Sequence, residues 1–256
     1  MAKKKRKKKE TETEETESVS EVSNPEKEEV FRNPEPEPER EPSPAIEIAN
    51  SFIPLGLNRG DFSGGKAKGA VIHYTGGGSH VGTIEALKAK RLGYHFIIDR
   101  KGDIIQCCEI GKRLAHCGHS CWDGDKPNDE YLGISICSYG LVRKVGQEFR
   151  AWPNQWRTKL NTEIHQIRLG TCLRNKRPQY WEAATTLQQI RLYELCQWLR
   201  KNLGLDPFKF AGHDEVSLSG KIDPGGVLSF SMDDLRNWLE VNKPGTEVID
   251  EVMGED

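Results

Sequence analysis

The sequence predicts an α/β domain, and three observations predict it. Short apolar runs suited to strands recur at 70–74, 94–99, 103–108 and 132–137. A longer stretch opening at 180 keeps a period near 3.6 through Leu187, Ile190, Leu195, Trp198, Leu199 and Leu203. A last segment opens at Ser231 with Asp234 three residues on, the pattern of a capping box, and turns Leu235, Trp238 and Leu239 inward. Strands interleaved with helices pack as a sheet with helices on its faces.

The chain has 256 residues and a net charge of −2, but the charge is segregated. Lys3 to Lys9 are all basic, and residues 10–47 hold fourteen glutamates and no aspartate. Six of the thirteen prolines precede Ala45. Such a segment has too little apolar surface to offset the entropy of ordering, so 1–47 reads as a disordered tail and linker, extended where Pro and Glu alternate. A basic run is compatible with nucleic acid, an anionic membrane or nuclear import, but charge blocks are usually solvated, and that plainer reading is preferred here. No nucleic-acid partner is expected. No apolar run follows the basic one, so a secretory leader is not expected, and no stretch approaches the ~20 apolar residues of a membrane span. A protein made in the cytoplasm is the resulting expectation. Residues 242–256 read as an acidic tail.

Residues 48–241 are long enough to bury a full core. Within them 70–74 is a strand. A short helix at 83–90 has Thr83 as its cap. Strands 94–99 and 103–108 are joined by a hairpin turn at Arg100-Lys101-Gly102, and 132–137 is a further strand. The long helix covers 180–202 and stops at Gly204. Residues 209–211 form a short strand. The segment 141–179 carries nine Lys and Arg residues with Trp152 and Trp156. It reads as a lid, as a surface for an anionic polymer, or as an excursion packed by its own tryptophans. Seven cysteines without a secretory leader imply free thiols, with Cys107, Cys108 and Cys137 as small core residues. The run from His116 to Cys121 has no second ligand pair at zinc-finger spacing, so a structural zinc there is not expected; a Cys117–Cys121 disulfide would need an oxidising environment.

Chemistry concentrates in 212–226, a segment punctuated by glycines and a proline and read as a loop. It holds His213, Lys221 and Asp223, which a loop can turn to one point. Catalytic zinc usually takes three protein ligands. The third candidate is His73, at the end of the apolar strand 70–74 and just before Gly76-Gly77-Gly78.

The blocks VIHYTGG and GHDEVSLSGKIDPGG resemble the zinc-dependent N-acetylmuramoyl-L-alanine amidases of type 2, a family that includes phage amidase lysozymes, muropeptide amidases and peptidoglycan-recognition proteins. The stretches 93–102, 115–118 and 128–136 match further blocks in the same order. The resemblance runs from about residue 50 to 239, with 141–179 as an insertion. It implies a mixed central sheet flanked by helices, with Zn²⁺ held by His73, His213 and Asp223 at its edge. In such a site zinc lowers the pKa of a water to about 7 and polarises the amide carbonyl. The substrate implied is peptidoglycan or a muropeptide, cut between N-acetylmuramic acid and L-alanine by a monomer.

By the same resemblance Lys221 and Tyr94 are the catalytic pair, donors to the oxyanion. One such donor is worth about 3 kcal/mol. Taken alone, Lys221 would be a surface lysine and Tyr94 a core aromatic. His95 beside it reads as structural. His116, Thr75 and Glu130 are candidate substrate contacts. Some bacterial members carry a catalytic glutamate where this chain has Ser135, which cannot act as a base, and Glu130 is its possible substitute. Asp223 resembles the muropeptide branch, whereas the Tyr94 block resembles the phage enzymes, so a phage lysin is favoured over a recycling enzyme. The rival classes are a non-catalytic peptidoglycan-binding module, which usually lacks a zinc ligand, and a zinc hydrolase of another amide.

Overall fold

The computed structural model describes residues 48–242; the readings for 1–47 and 243–256 lie outside them. In chain order the elements are β1 (Ser51–Phe52), β2 (Gly69–Tyr74), α1 (His80–Lys90), β3 (Phe96–Ile98), β4 (Ile104–Gln106), α2 (Pro127–Glu130), β5 (Tyr131–Ile136), β6 (Leu141–Val145), β7 (Glu148–Ala151), α3 (Pro153–Trp156), β8 (Thr158–Leu160), β9 (Ile167–Gly170), β10 (Gln179–Glu182), α4 (Thr186–Leu203), β11 (Phe210–Gly212), α5 (His213–Val216) and α6 (Met232–Val241).

The central sheet has the order β1-β4-β3-β5-β2-β11. Its pairs are parallel except β3 with β4, the hairpin read from the sequence. Asp99 makes that turn: its Oδ1 accepts the backbone N–H of Lys101 and Asp103 at 2.8 and 3.0 Å, and Gly102 takes the left-handed conformation at φ 83. Strands buried on both faces read as continuous apolar runs, and β2 and β5 are of that kind. Ala70, Ile72, Ile134 and Ile136 join the core under Leu192, Leu195, Leu199 and Leu235 of α4 and α6. Ile97, Cys107 and Cys137 join Ile84 and Leu87 of α1 on the other face.

Three expectations are corrected. The first helix begins at His80, because the Ser79 side chain accepts the Gly82 N–H and takes the N-cap; Thr83 instead donates to the Ser79 carbonyl. The long helix begins at Thr186, capped by a reciprocal Thr185–Gln188 pair, and the residues before it form β10. The segment 212–226 is not all loop, since His213 opens the one-turn α5. The stop at Gly204, at φ 66, and the Ser231 cap stand as read.

The insertion forms, together with β10 just after it, a second sheet, antiparallel throughout, ordered β8-β7-β6-β10-β9. A buried carboxylate joins it to the central sheet. Glu182, at the end of β10, accepts from the two terminal guanidinium nitrogens of Arg100 at 2.5 and 3.0 Å, from the Tyr139 N–H at 2.5 Å and from the His165 ring. Burial alone would raise this acid; the Arg100 and Tyr139 bonds outweigh it and hold its pKa below the usual value.

Candidate metal centre

The two histidines meet because two parallel strands end side by side. Gly212 of β11 is paired with Ile72 of β2, so the next residues, His213 and His73, are neighbours. Their ring centroids are 4.5 Å apart. His213 is held from behind. Glu215 accepts the Gly212 N–H at 2.7 Å and is itself gripped by Arg236 of α6 at 2.8 and 3.0 Å. Asp223 returns to the same point, and its carbonyl accepts the Asp214 N–H at 2.7 Å.

His73 Nδ1, His213 Nδ1 and Asp223 Oδ2 form a triangle with sides of 3.1, 2.9 and 2.9 Å. His73 is fully buried, and the Asp223 side chain is 14% exposed. The outward nitrogens decide what this triangle is. His213 Nε2 faces the Cys117 carbonyl at 3.2 Å and His116 Nε2 faces the Tyr131 carbonyl at 3.0 Å, so both must carry hydrogen. His116 Nδ1 is then an acceptor and takes the proton of His73 Nε2 at 3.1 Å. In the neutral rings both inward Nδ1 atoms are left with bare lone pairs beside a carboxylate oxygen. Three acceptors in mutual contact with no hydrogen between them repel one another unless a cation joins them, and fixing a ligand's tautomer through its other nitrogen is how metal-binding histidines are oriented. Zinc bonds of about 2.0–2.1 Å in a tetrahedron separate ligand atoms by about 3.3 Å, so these residues fit the ion after opening a few tenths of an ångström. Burial, reinforced by His213, pushes His73 down to about 4, and burial lowers His116 well below the ordinary value, so both rings are neutral near pH 7.

The other nominated residues separate into near and far. The Tyr94 ring lies 4.9 Å from that of His73, and burial raises its hydroxyl above the ordinary range, which leaves it a neutral donor beside Ser135. Lys221 is exposed, makes no ion pair among the described residues, and is placed by its N–H on Ser217 Oγ at 3.4 Å. Its charge is felt at His73. His95 is enclosed by hydrogen bonds to Lys112 O and Gly133 N.

The three residues nominated as substrate contacts have these settings. His116 is buried, and its Nδ1 accepts from His73 Nε2 and orients that ring. The Thr75 hydroxyl is engaged by the backbone of Gly77 and Ser138 and shapes the glycine turn. Glu130 sits at the far end of β5. Its carbonyl bonds Lys68, five residues before His73 on the neighbouring strand, or about 16 Å at strand rise. Its carboxylate is taken by Lys68 at 2.6 Å and by the Lys126 N–H at 2.5 Å.

Sequence reading missed the support that the insertion gives the ligand loop. Trp181 lies flat against the glycines after Asp223: a Cβ on Gly225 would sit 2.8 Å from the indole, and one on Gly226 nearer still. Arg168 donates to the Gly226 carbonyl at 2.9 Å and to that of Leu228. Arg174 donates to the carbonyls of Asp214 and Ser217, and the Leu173 N–H reaches Asp214 Oδ2 at 3.1 Å. Trp181→Ala is therefore expected to lower Tm and weaken zinc binding by about tenfold, the lower end for losing a ligand's support. Trp152→Ala, on the exposed side of the insertion, should change neither. Equal zinc titrations of the two variants would dissociate the insertion from the metal.

The family profile for N-acetylmuramoyl-L-alanine amidases matches residues 63–226. The chain belongs to that family. The enzyme class expected from the sequence is that of the family, and the mixed sheet flanked by helices is as expected. No curated protein matches the chain in sequence. Among solved structures, a selenomethionine derivative of AmpD is 18% identical with a TM-score of 0.48, over 76% of this chain and 96% of that one. AmiD from E. coli, solved with anhydro-N-acetylmuramic acid-L-Ala-D-γ-Glu-L-Lys, is 20% identical with a TM-score of 0.47, over 67% of this chain and 56% of AmiD. The amidase endolysin LysCS from Clostridium intestinale is 14% identical with a TM-score of 0.44, over 75% of this chain and 97% of its own. This chain thus spans little more than half of AmiD. No helix among the described residues is long and apolar enough to cross a membrane.

Proposed function

We propose that this amidase is a zinc enzyme that cuts peptidoglycan between the lactyl group of N-acetylmuramic acid and L-alanine. The observation that carries the reading is the convergence of His73 Nδ1, His213 Nδ1 and Asp223 Oδ2 with both histidine protons directed outward. When bound there, zinc supplies a Lewis acid and an activated water at neutral pH. The chain supplies the rest. His116 and the Cys117 carbonyl hold the two rings in the ligating tautomer. Tyr94 and Lys221 are both hydrogen-bond donors, so they act on negative charge growing at the carbonyl oxygen and do not abstract a proton. With Ser135 at the strand position and Glu130 remote, neither of those two positions brings a carboxylate to the centre.

A complete ligand set favours an enzyme over a binding module. The pairing of Tyr94 with Ser135 favours the lysin setting over muropeptide recycling. The test is amide hydrolysis on purified soluble muropeptide before and after chelation. Activity is expected to vanish with chelator and to return with one equivalent of zinc. Undiminished release of the peptide from metal-free protein would contradict the zinc reading. Failure of the zinc-loaded protein on this substrate, with activity on another amide, would contradict the substrate.

A further inference from the structure

Residues 225–228 pack on only part of one face of the second sheet. Leu141, Trp181 and Arg168 are cross-strand partners on β6, β10 and β9, and Trp181 and Arg168 press on residues 225–228. Two residues along β6, on the same face, is Arg143. It is directly opposite Arg150, which is directly opposite Lys159. The other face holds Val142, Ala151 and Leu160 in a small buried core. Three cations therefore stand side by side across three strands, over about 10 Å. Like charges in direct cross-strand register oppose sheet formation. Glu148 relieves part of this, pairing with Arg150 at 3.1 Å and Lys159 at 2.7 Å. Arg143 has no acidic partner among the described residues and lies instead on the Trp156 ring, 4.6 Å from its centre. Trp152 packs edge-on to Trp156 and is 60% exposed. The turn that presents this pair is strained: Gln155 and Trp156, neither of them glycine, both adopt left-handed backbone at φ 55 and 66.

Glu148 and the Trp156 ring offset only part of the cost of this combination. Three cations sharing one acidic partner, a strained turn and an exposed indole oppose stability and solubility, so a ligand is the natural account of their presence together. We propose that the open half of this face is a second binding surface for polymeric peptidoglycan, outside the metal centre. The exposed Trp152 ring, packed against Trp156, offers an apolar plane to a sugar ring of the glycan strand. Arg143, Arg150 and Lys159 offer charge-assisted hydrogen bonds to the free carboxylates of the peptide stems. The surface lies on the same sheet face as Trp181, so a strand held there stays tethered beside the ligand loop, which raises its local concentration at the metal centre. This rests on peptidoglycan being the substrate.

The test uses the full chain and three readouts: cosedimentation with insoluble cell-wall sacculi across a salt series, hydrolysis of soluble muropeptide, and Tm. Trp156→Ala and the charge variant Arg143→Gln/Lys159→Gln are each expected to weaken sacculus binding by about tenfold, and the charge variant should flatten its salt dependence. Turnover on soluble muropeptide should stay within about twofold of wild type, since neither variant touches the centre. Unchanged sacculus binding in both variants overturns the proposal. So does a parallel loss on soluble muropeptide, which would make this half a support for the ligand loop. Binding to duplex DNA or anionic vesicles that falls in the variants while sacculus binding holds would assign the surface to another partner and also overturn it. If the wild type binds sacculi through these residues yet never cleaves muropeptide, the surface stands and the proposed reaction fails.

Discussion

His213→Ala is expected to remove both the metal and the activity. The zinc content of the purified protein should fall from one per chain to near zero, and amide hydrolysis should fall below detection. His73→Ala should match it. The triangle has only three protein atoms, and two ligands do not hold a catalytic zinc. The loss should not be a loss of fold, because Glu215 and Arg236 still anchor α5 when the imidazole and its bond to the Cys117 carbonyl are gone. Circular dichroism should therefore remain native while the metal is lost. His116→Ala should be graded: His73 keeps its lone pair but loses the partner that fixes its tautomer, and zinc affinity should drop by about 10–100-fold. Full zinc occupancy in His213→Ala would refute the ligand assignment outright.

Lys221→Ala is expected to lower turnover by about a hundredfold or more with zinc content unchanged. In the proposed role the lysine would meet charge that exists only in the transition state, so KM should change little. Tyr94→Phe should show the same pattern with a smaller loss, since a water can occupy the place of the hydroxyl. The tyrosine's pKa matters for its direction of action. Burial raises it, so the phenol keeps its proton through the neutral range and is lost as a donor only at alkaline pH. The Tyr94→Phe deficit should accordingly be constant from about pH 6 to 9. A Lys221→Ala enzyme that turns over normally would make Lys221 a surface residue, as its exposure alone would suggest.

Much of the central sheet was legible because its signals are local. A buried apolar strand ending in His73, an Asp-Arg-Lys-Gly turn and a Ser231–Asp234 cap each follow from a few neighbouring residues. The insertion was opaque for the opposite reason. Its strands are three to five residues long and carry charge on the open face, as at Arg143, Arg150 and Lys159, so no apolar periodicity marks them. Tyr180 and Trp181 adjoin a strong helix and were absorbed into it, although they belong to β10. Within the site, ligand identities could be nominated by residue type and order. The roles of Glu130 and His116 could not, because they depend on position along a strand and on which ring nitrogen carries hydrogen. Trp181 gave no signal as a support for Gly225 and Gly226, since that contact joins segments far apart in the chain.

The pairing of β2 with β11 has a consequence for when the centre comes into being. His73 and His213 are 140 positions apart, and the segment between them includes most of both sheets. Closing so long a loop carries an entropic penalty that local contacts cannot offset early, so this pairing belongs to the late part of folding. The nascent chain therefore holds no preformed nest for an ion, unlike a zinc finger, whose ligands are neighbours. Zinc bound as proposed would enter a finished protein and act as a latch between β2 and β11.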